Sequence, residues 1–309
     1  MILLSLIVAL LLEQLSPPTL RQRLRDGIAA YAHFFQHHFN AGEHRHGRIA
    51  WTLAMLAPLV IVGASFWALR EMHPVLSWLW CVLVLYLTIG FRQVSQRFTD
   101  IYRALRDGEQ ERARALLAEW RGMPSHEFNE EEIVRVATEN VLLAAHRRVF
   151  GVIIWFTVGM MLGLGPTGAV LYCLSSFLQK SWGEDDGGGF GRFAHQAGYW
   201  IEWMPVRLTA FTFAVVGDFE DAAYCWRTQA QNWPNPEDGI LLAAGAGALG
   251  VRLGQPIQQD GLLLDRPELG TGDAVDIDFM QSAEGLIWRA LLCWLLLLLV
   301  FGLVNLASG

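Results

Sequence analysis

The chain has 309 residues, 53% of them hydrophobic and 17% charged, with a mean hydropathy of +0.30 and a formal net charge of −7. A charged fraction so far below the roughly 25% of soluble domains argues against a soluble protein, and the negative balance excludes non-specific nucleic-acid binding, which needs a basic face. The four cysteines, Cys81, Cys173, Cys225 and Cys293, lie far apart with no C-x-x-C spacing and read as small buried hydrophobes.

Residues 2–12 are apolar, with no basic segment before them and no small-residue cleavage site after them. They read as an uncleaved first span over about 1–15. Residues 16–50 follow, with Arg21, Arg23, Arg25, Arg45 and Arg48 and a histidine group at 33, 37, 38, 44 and 46. His33 and His37 have the i,i+4 spacing of metal ligands, but no Glu-x-x-His or cysteine partner accompanies them. An interfacial helix carrying Phe34, Phe35 and Phe39 explains the segment, and no metal site is expected. Residues 51–69 and 75–91 are the next two spans.

Residues 92–148 carry ten arginines. Val94, Phe98, Ile101, Tyr102 and Leu105 mark one face of a helix over 92–106, which Asp107-Gly108 stops. A charged amphipathic helix covers 109–120. Asn129 with Glu132 forms a capping box for a third helix that continues toward the membrane. The apolar run 149–182 is broken at Gly163-Leu164-Gly165-Pro166-Thr167-Gly168, giving spans at 149–163 and 167–182 joined by a hairpin. The last span is 285–306, whose only charge is Arg289. The Arg-rich segments fall on one side, which the positive-inside rule places in the cytoplasm. The expectation is one all-α, polytopic domain over 1–309 in a bacterial inner membrane. Its cytoplasmic helical segments are 16–50, 92–148 and 183–284. No stretch has sustained period-2 alternation, so almost no sheet is expected.

Within 183–284, the glycine-rich stretch 185–191 lacks both the lysine and the preceding strand of a P-loop and reads as a connector. Arg207 follows Pro205 at the predicted start of a helix over 206–217, where free N–H groups and a guanidinium together suit a phosphate or carboxylate. An ion pair with Glu202 is the alternative. Glu202 lies between Trp200 and Trp203 and is a candidate binding carboxylate. Asn235 sits in a Trp-Pro-Asn-Pro turn. Residues 239–254 are dense in glycine and alanine, which permit close helix packing or approach of a flat ligand. Arg252 closes that segment, expected as a helix end. A guanidinium cannot shed its charge, so Arg207 and Arg252 each call for an anionic partner.

The stretches Trp203-Met204-Pro205-Val206-Arg207-Leu208-Thr209-Ala210 and Ala246-Gly247-Ala248-Leu249-Gly250-Val251-Arg252-Leu253-Gly254-Gln255-Pro256 resemble the CobD/CbiB family of cobalamin-biosynthesis membrane proteins. So do residues 101–141, Gly165-Pro166-Thr167-Gly168-Ala169 with Tyr172, and Arg266-Pro267-Glu268-Leu269-Gly270. The resemblance covers roughly residues 90–300. It implies ATP-dependent amide ligation of a corrinoid carboxylate to aminopropanol (phosphate), with Mg-ATP and a corrinoid or other anionic small molecule at the cytoplasmic face. Carried over by residue type, it implies Glu139 and Arg207 as catalytic residues and Asn235 and Arg252 as ligand-binding residues, beside Glu202 and Trp203, which their own aromatic surroundings offer as ligand-binding candidates.

Several family carboxylate positions differ here, at Leu143-Ala144, Arg147-Arg148, Tyr172-Cys173-Leu174-Ser175 and Gly198-Tyr199, and the family's asparagine is Glu202. Acyl-phosphate chemistry needs carboxylates to hold Mg²⁺. In this respect, and in its start ending Leu12-Glu13-Gln14-Leu15, the chain is similar to the AmpE proteins linked to β-lactamase induction. A non-catalytic membrane sensor is therefore the alternative function.

Overall fold

The computed structural model describes residues 1–15, 19–39, 44–183, 189–259 and 261–308. Residues 185–188 of the predicted connector lie outside them. Helices α1 (Ile2–Leu15), α2 (Thr19–Phe39), α3 (His44–Met72) and α4 (Pro74–Thr88) come first. They are followed by α5 (Phe91–Arg106), α6 (Gln110–Arg121) and α7 (Glu130–Ala145). A π-turn, His146–Phe150, joins α7 to α8 (Gly151–Met161). Then come α9 (Thr167–Gly183), α10 (Arg192–Val216), α11 (Phe219–Gln229), α12 (Pro236–Leu249) and α13 (Ile277–Ser308).

Local signals set many of these boundaries. Asn129 Oδ1 accepts from the Glu132 N–H at 2.8 Å and the Glu132 carboxylate accepts from the Asn129 N–H at 2.8 Å, the predicted capping box. Gly108 and Gly163, both at positive φ, stand at the predicted stops after α5 and α8.

Four helical stretches are long and apolar enough to cross a membrane: His46–Met72, Pro74–Arg106, Glu130–Met161 and Ile277–Val304. In the first and last of these, only 22% of the most apolar window is buried in protein. Leu53, Leu56, Val60 and Ile61 of α3 and Leu292, Leu296, Leu297 and Val300 of α13 are exposed. Apolar faces on this scale need lipid as their solvent, so the chain is an all-α polytopic membrane protein. The predicted spans 1–15 and 167–182 form α1 and α9, of 14 and 17 residues, shorter than the roughly 20 residues that cross a bilayer unaided.

Two compact units make up the chain. The first holds Met1–Gly90, Arg148–Pro205 and Gly302–Gly309. In it α1 packs on α4, and α9 packs on α3 and α8. Its core gathers Ala32, Ala50, Ala54, Met55, Leu174, Leu178, Trp182 and Phe190. Two of its helices contain an interior proline, Pro58 in α3 and Pro205 in α10. A proline has no N–H, so the carbonyl four residues earlier loses its helical donor. Each orphaned carbonyl takes a side-chain donor from another helix. Tyr31 Oη donates to Ala54 O at 3.0 Å, and Trp155 Nε1 donates to Ile201 O at 2.9 Å. Trp155→Phe is expected to cost about 1–2 kcal/mol, because it leaves a bare carbonyl in an apolar setting. Thermal unfolding in detergent reads this directly.

The second unit holds Phe91–Arg147 and Val206–Phe301. Here α7 packs on α5, α6 and α12, and α12 packs on α11. The glycines of α12 are filled by protein. An added Cβ would lie 2.8 Å from the Leu142 side chain at Gly245 and 2.5 Å from Asp221 O at Gly247. Close helix packing, one of the two predicted uses of this stretch, accounts for them.

Between α12 and α13 the sheet content exceeds expectation. Strand β1 (Val251–Gly254) is followed by β2 (Ile257–Gln259), β3 (Leu262–Leu264), β4 (Glu268–Leu269) and β5 (Asp273–Ala274). β1 pairs antiparallel with β4 (Leu253↔Leu269) and parallel with β5 (Arg252↔Ala274), while β2 and β3 form a hairpin. Strands of two to four residues are too short to show alternation, which is why the pattern missed them.

Candidate functional site

Glu139 lies on the buried face of α7 and is 5% exposed. Its Oε1 accepts from the Gly254 N–H at 2.9 Å and from Arg266 Nη2 at 3.3 Å, and its Oε2 accepts from Arg266 Nη1 at 2.8 Å. Arg266 also donates to Gly254 O at 3.0 Å and to Gln255 O at 3.1 Å, and its guanidinium stands 5.4 Å from the Trp233 ring centroid. The carboxylate and guanidinium together grip the turn that leaves β1.

Arg135, one turn before Glu139, holds the same turn from the other side. Its Nη1 donates to Gln255 Oε1 at 2.6 Å and its Nη2 to Pro256 O at 3.2 Å. Gln255 Nε2 donates to Glu268 at 3.0 Å. Gln255 has φ +65° and is the only non-glycine residue at positive φ among those described. Such a backbone persists only where surrounding contacts over-determine it, and here four hydrogen bonds of Gln255 itself do. Gly254, at φ +73°, lies so close to Pro267 that an added Cβ would stand 2.0 Å from its carbonyl oxygen.

Arg121 joins the group from α6. Burial pulls its guanidinium below the ordinary arginine value, the nearby Arg266 charge adds to the shift, and Glu139 opposes it. Among the described residues its nitrogens meet neutral acceptors, Ser125 Oγ at 3.3 Å and Gln259 Oε1 at 3.5 Å.

The expected site residues take these places. Asn235 caps α12: its Oδ1 accepts from the Glu237 N–H at 3.1 Å and its Nδ2 donates to Asp238 at 3.3 Å. Asp238 in turn accepts from Arg147 at 2.5 Å. Arg252 is not at a helix end, as expected, but on β1. Gly250, in the left-handed conformation, ends α12 first. The Nε of Arg252 is buried without a hydrogen-bond partner, and no ion pair reaches this side chain among the described residues. Arg207 does not sit at a helix start either. α10 runs unbroken through Pro205, so Arg207 lies deep inside it and no free N–H groups surround it. Glu202, buried at 6% exposure, and Trp203, exposed at 44%, belong to the first unit, whereas Glu139, Arg207, Asn235 and Arg252 belong to the second.

The residues brought together are thus Glu139 and the strand that carries Arg252, joined through Gly254. Arg135 and Arg266 complete this assembly, and sequence reasoning gave neither a role. Arg135 had a signal: it stands alone in Ile133-Val134-Arg135-Val136-Ala137, the same criterion that singled out Arg207 and Arg252.

The profile of the family described as CobD/Cbib protein matches residues 6–287 of the chain. A cobalamin biosynthesis protein CobD from Stutzerimonas stutzeri is 36% identical over 305 residues, covering 97% of each chain. One of the same description from Chromobacterium violaceum is 34% identical over 242 residues, covering 78% of this chain and 75% of its own. Another, from Streptococcus sanguinis, is 25% identical over 268 residues, covering 84% and 83%. No solved structure matches the chain.

Proposed function

Because the chain belongs to the CobD/CbiB family, we propose that it acts in cobalamin biosynthesis at the cytoplasmic face of a bacterial inner membrane, joining a corrinoid carboxylate to aminopropanol (phosphate) with Mg-ATP as co-substrate. The observation that carries this reading beyond family membership is Arg252. A half-buried guanidinium cannot neutralise itself and costs free energy until an anion meets it. Phosphate and carboxylate, the groups such a ligation handles, are its natural counterparts. Arg252 and Arg207, both in the second unit, are the anion contacts in this reading. Asn235 orders the start of α12.

Glu139 has a different part. Both of its oxygens already accept from Arg266 and Gly254. It acts as a positioning residue, holding β1 and therefore Arg252 in place.

The test is thermal stability of detergent-purified protein with adenosylcobyric acid, aminopropanol phosphate and Mg-ATP, alone and together. A ligand at 100 times its dissociation constant that binds only the folded state adds about 2.7 kcal/mol. A shift with the corrinoid or the nucleotide is the expected result and leads to an amide-formation assay. A protein that melts cooperatively and shifts with none of them fits the AmpE-like, non-catalytic alternative instead.

A further inference from the structure

Within the first unit, the opening turns of α3 pack against the start of α10. Gly47 lies so close to the Phe190 carbonyl that no Cβ would fit there. Trp51 meets Phe193 edge-on with ring centroids 5.5 Å apart, and the Arg48 guanidinium stands 5.5 Å from the centroid of the same Phe193 ring. Beside this contact α3 carries an open groove of about 540 Å³ lined by Arg48, Ile49, Thr52 and Leu53. Beyond Leu53 the same helix face continues as Leu56 and Val60, both exposed.

The groove is cationic at one end and apolar along the rest. His46–Met72 is a spanning stretch, so Arg48 stands in its first turn, at the level of lipid headgroups. From Ile49 to Val60 the helix rises about 17 Å, close to one leaflet of a hydrocarbon core roughly 30 Å thick. The charge here has one sign. α3 carries Arg45, His46 and Arg48 near its start and no carboxylate before Glu71. Arg192 and His195 are exposed on either side of Phe193 in the sequence of α10. Among the described residues no carboxylate pairs with Arg48, whose contact is the Phe193 ring. The Thr52 hydroxyl donates to Arg48 O at 2.8 Å. The spare donors of the groove are therefore those of the guanidinium.

We propose that this groove holds an anionic phospholipid, its phosphate on the Arg48 guanidinium and an acyl chain along Ile49, Leu53, Leu56 and Val60. A planar fork of N–H donors suits a phosphate, and basic residues at the membrane surface attract anionic lipid. A zwitterionic lipid fits the apolar track equally well, but it brings a cationic group to a place already rich in cations. A soluble phosphate ester fits the guanidinium and leaves the apolar track bare. None of these residues takes part in the proposed ligation, so this inference stands apart from that reading.

Native mass spectrometry of the full-length protein in detergent, titrated with dioleoyl phosphatidylglycerol or dioleoyl phosphatidylcholine, tests the site. Wild type should retain phosphatidylglycerol about fivefold to tenfold more strongly than phosphatidylcholine. Arg48→Gln should remove most of that preference. Arg48→Lys keeps the charge but not the fork, and should keep part of it. Arg70→Gln removes the same charge from the far end of α3, where the guanidinium lies over Trp67, and should leave the preference as it is in wild type. The proposal is overturned if wild type retains the two lipids equally, or if Arg48→Gln keeps the preference. It is also overturned if Arg70→Gln lowers the preference as much as Arg48→Gln does, which would make it a general charge effect. Displacement of phosphatidylglycerol by glycerol 3-phosphate would overturn it too, since the occupant would then be a soluble phosphate. A melting curve for each variant establishes that the titrated protein is folded.

Discussion

Glu139→Ala should destabilise the second unit by about 3–5 kcal/mol, the usual cost of removing one partner from a buried ion pair. The loss is larger than that of the pair alone. Arg266 would keep a charge that is 15% exposed without its carboxylate, and the Gly254 N–H would lose its acceptor. The turn at Gln255 would keep only Arg135 from α7, and its left-handed backbone would then carry strain with less to oppose it. Denaturation midpoints of detergent-solubilised protein measure the effect. Glu139→Gln should recover part of it, since an amide oxygen still accepts one hydrogen bond. If Glu139→Ala melts like wild type while ligand-dependent stabilisation disappears, Glu139 is a direct ligand contact and the positioning role is wrong.

Arg252→Gln should behave in the opposite way. No partner holds the guanidinium among the described residues, so removing a half-buried unpaired charge should leave the unliganded protein as stable as wild type or slightly more so. Affinity for the anionic ligand should fall by about tenfold to a hundredfold, the range for a charge-assisted, bidentate contact. Melting temperature alone and the ligand-induced shift separate the two effects. Equal loss of both would mean that Arg252 serves folding, and would remove the observation that carries the proposed function.

What the sequence disclosed follows from range. The capping box at Asn129 and Glu132, the stop at Gly108 and the hairpin at Gly163 are all decided by neighbours within four residues, and all were legible. So was the apolar content of the spans. Pro205 was misread because its local meaning, a helix start, is overridden by Trp155, whose indole takes the orphaned carbonyl of Ile201, 46 positions away from it. Arg252 was misplaced by the one residue that matters, Gly250, whose αL cap ends the helix before it. Gln255 gave no local sign of its positive φ. That conformation is imposed by Arg135 and Arg266, 120 and 11 positions distant. The same two arginines explain why the Glu139 neighbourhood could be suspected from family resemblance and yet not be drawn. A guanidinium announces that it needs an acceptor, never which one.

The interior prolines have a consequence for assembly. A newly inserted α3 enters the membrane with one carbonyl that nothing in its own helix can satisfy, and in hydrocarbon that vacancy is expensive; α10, which is not among the spanning stretches, carries the same vacancy in a buried setting. Greasy neighbours are interchangeable as far as area is concerned, but only one carrying a donor at the correct height can relieve the vacancy. Tyr31 supplies it for α3 and Trp155 for α10. The missing N–H thus serves as an address: it tells otherwise similar apolar helices which neighbour to accept and at what depth. Restoring the donor, as in Pro58→Ala or Pro205→Ala, would mend the helix and erase the address, so such a protein could gain local helicity while losing the uniqueness of its helix pairing.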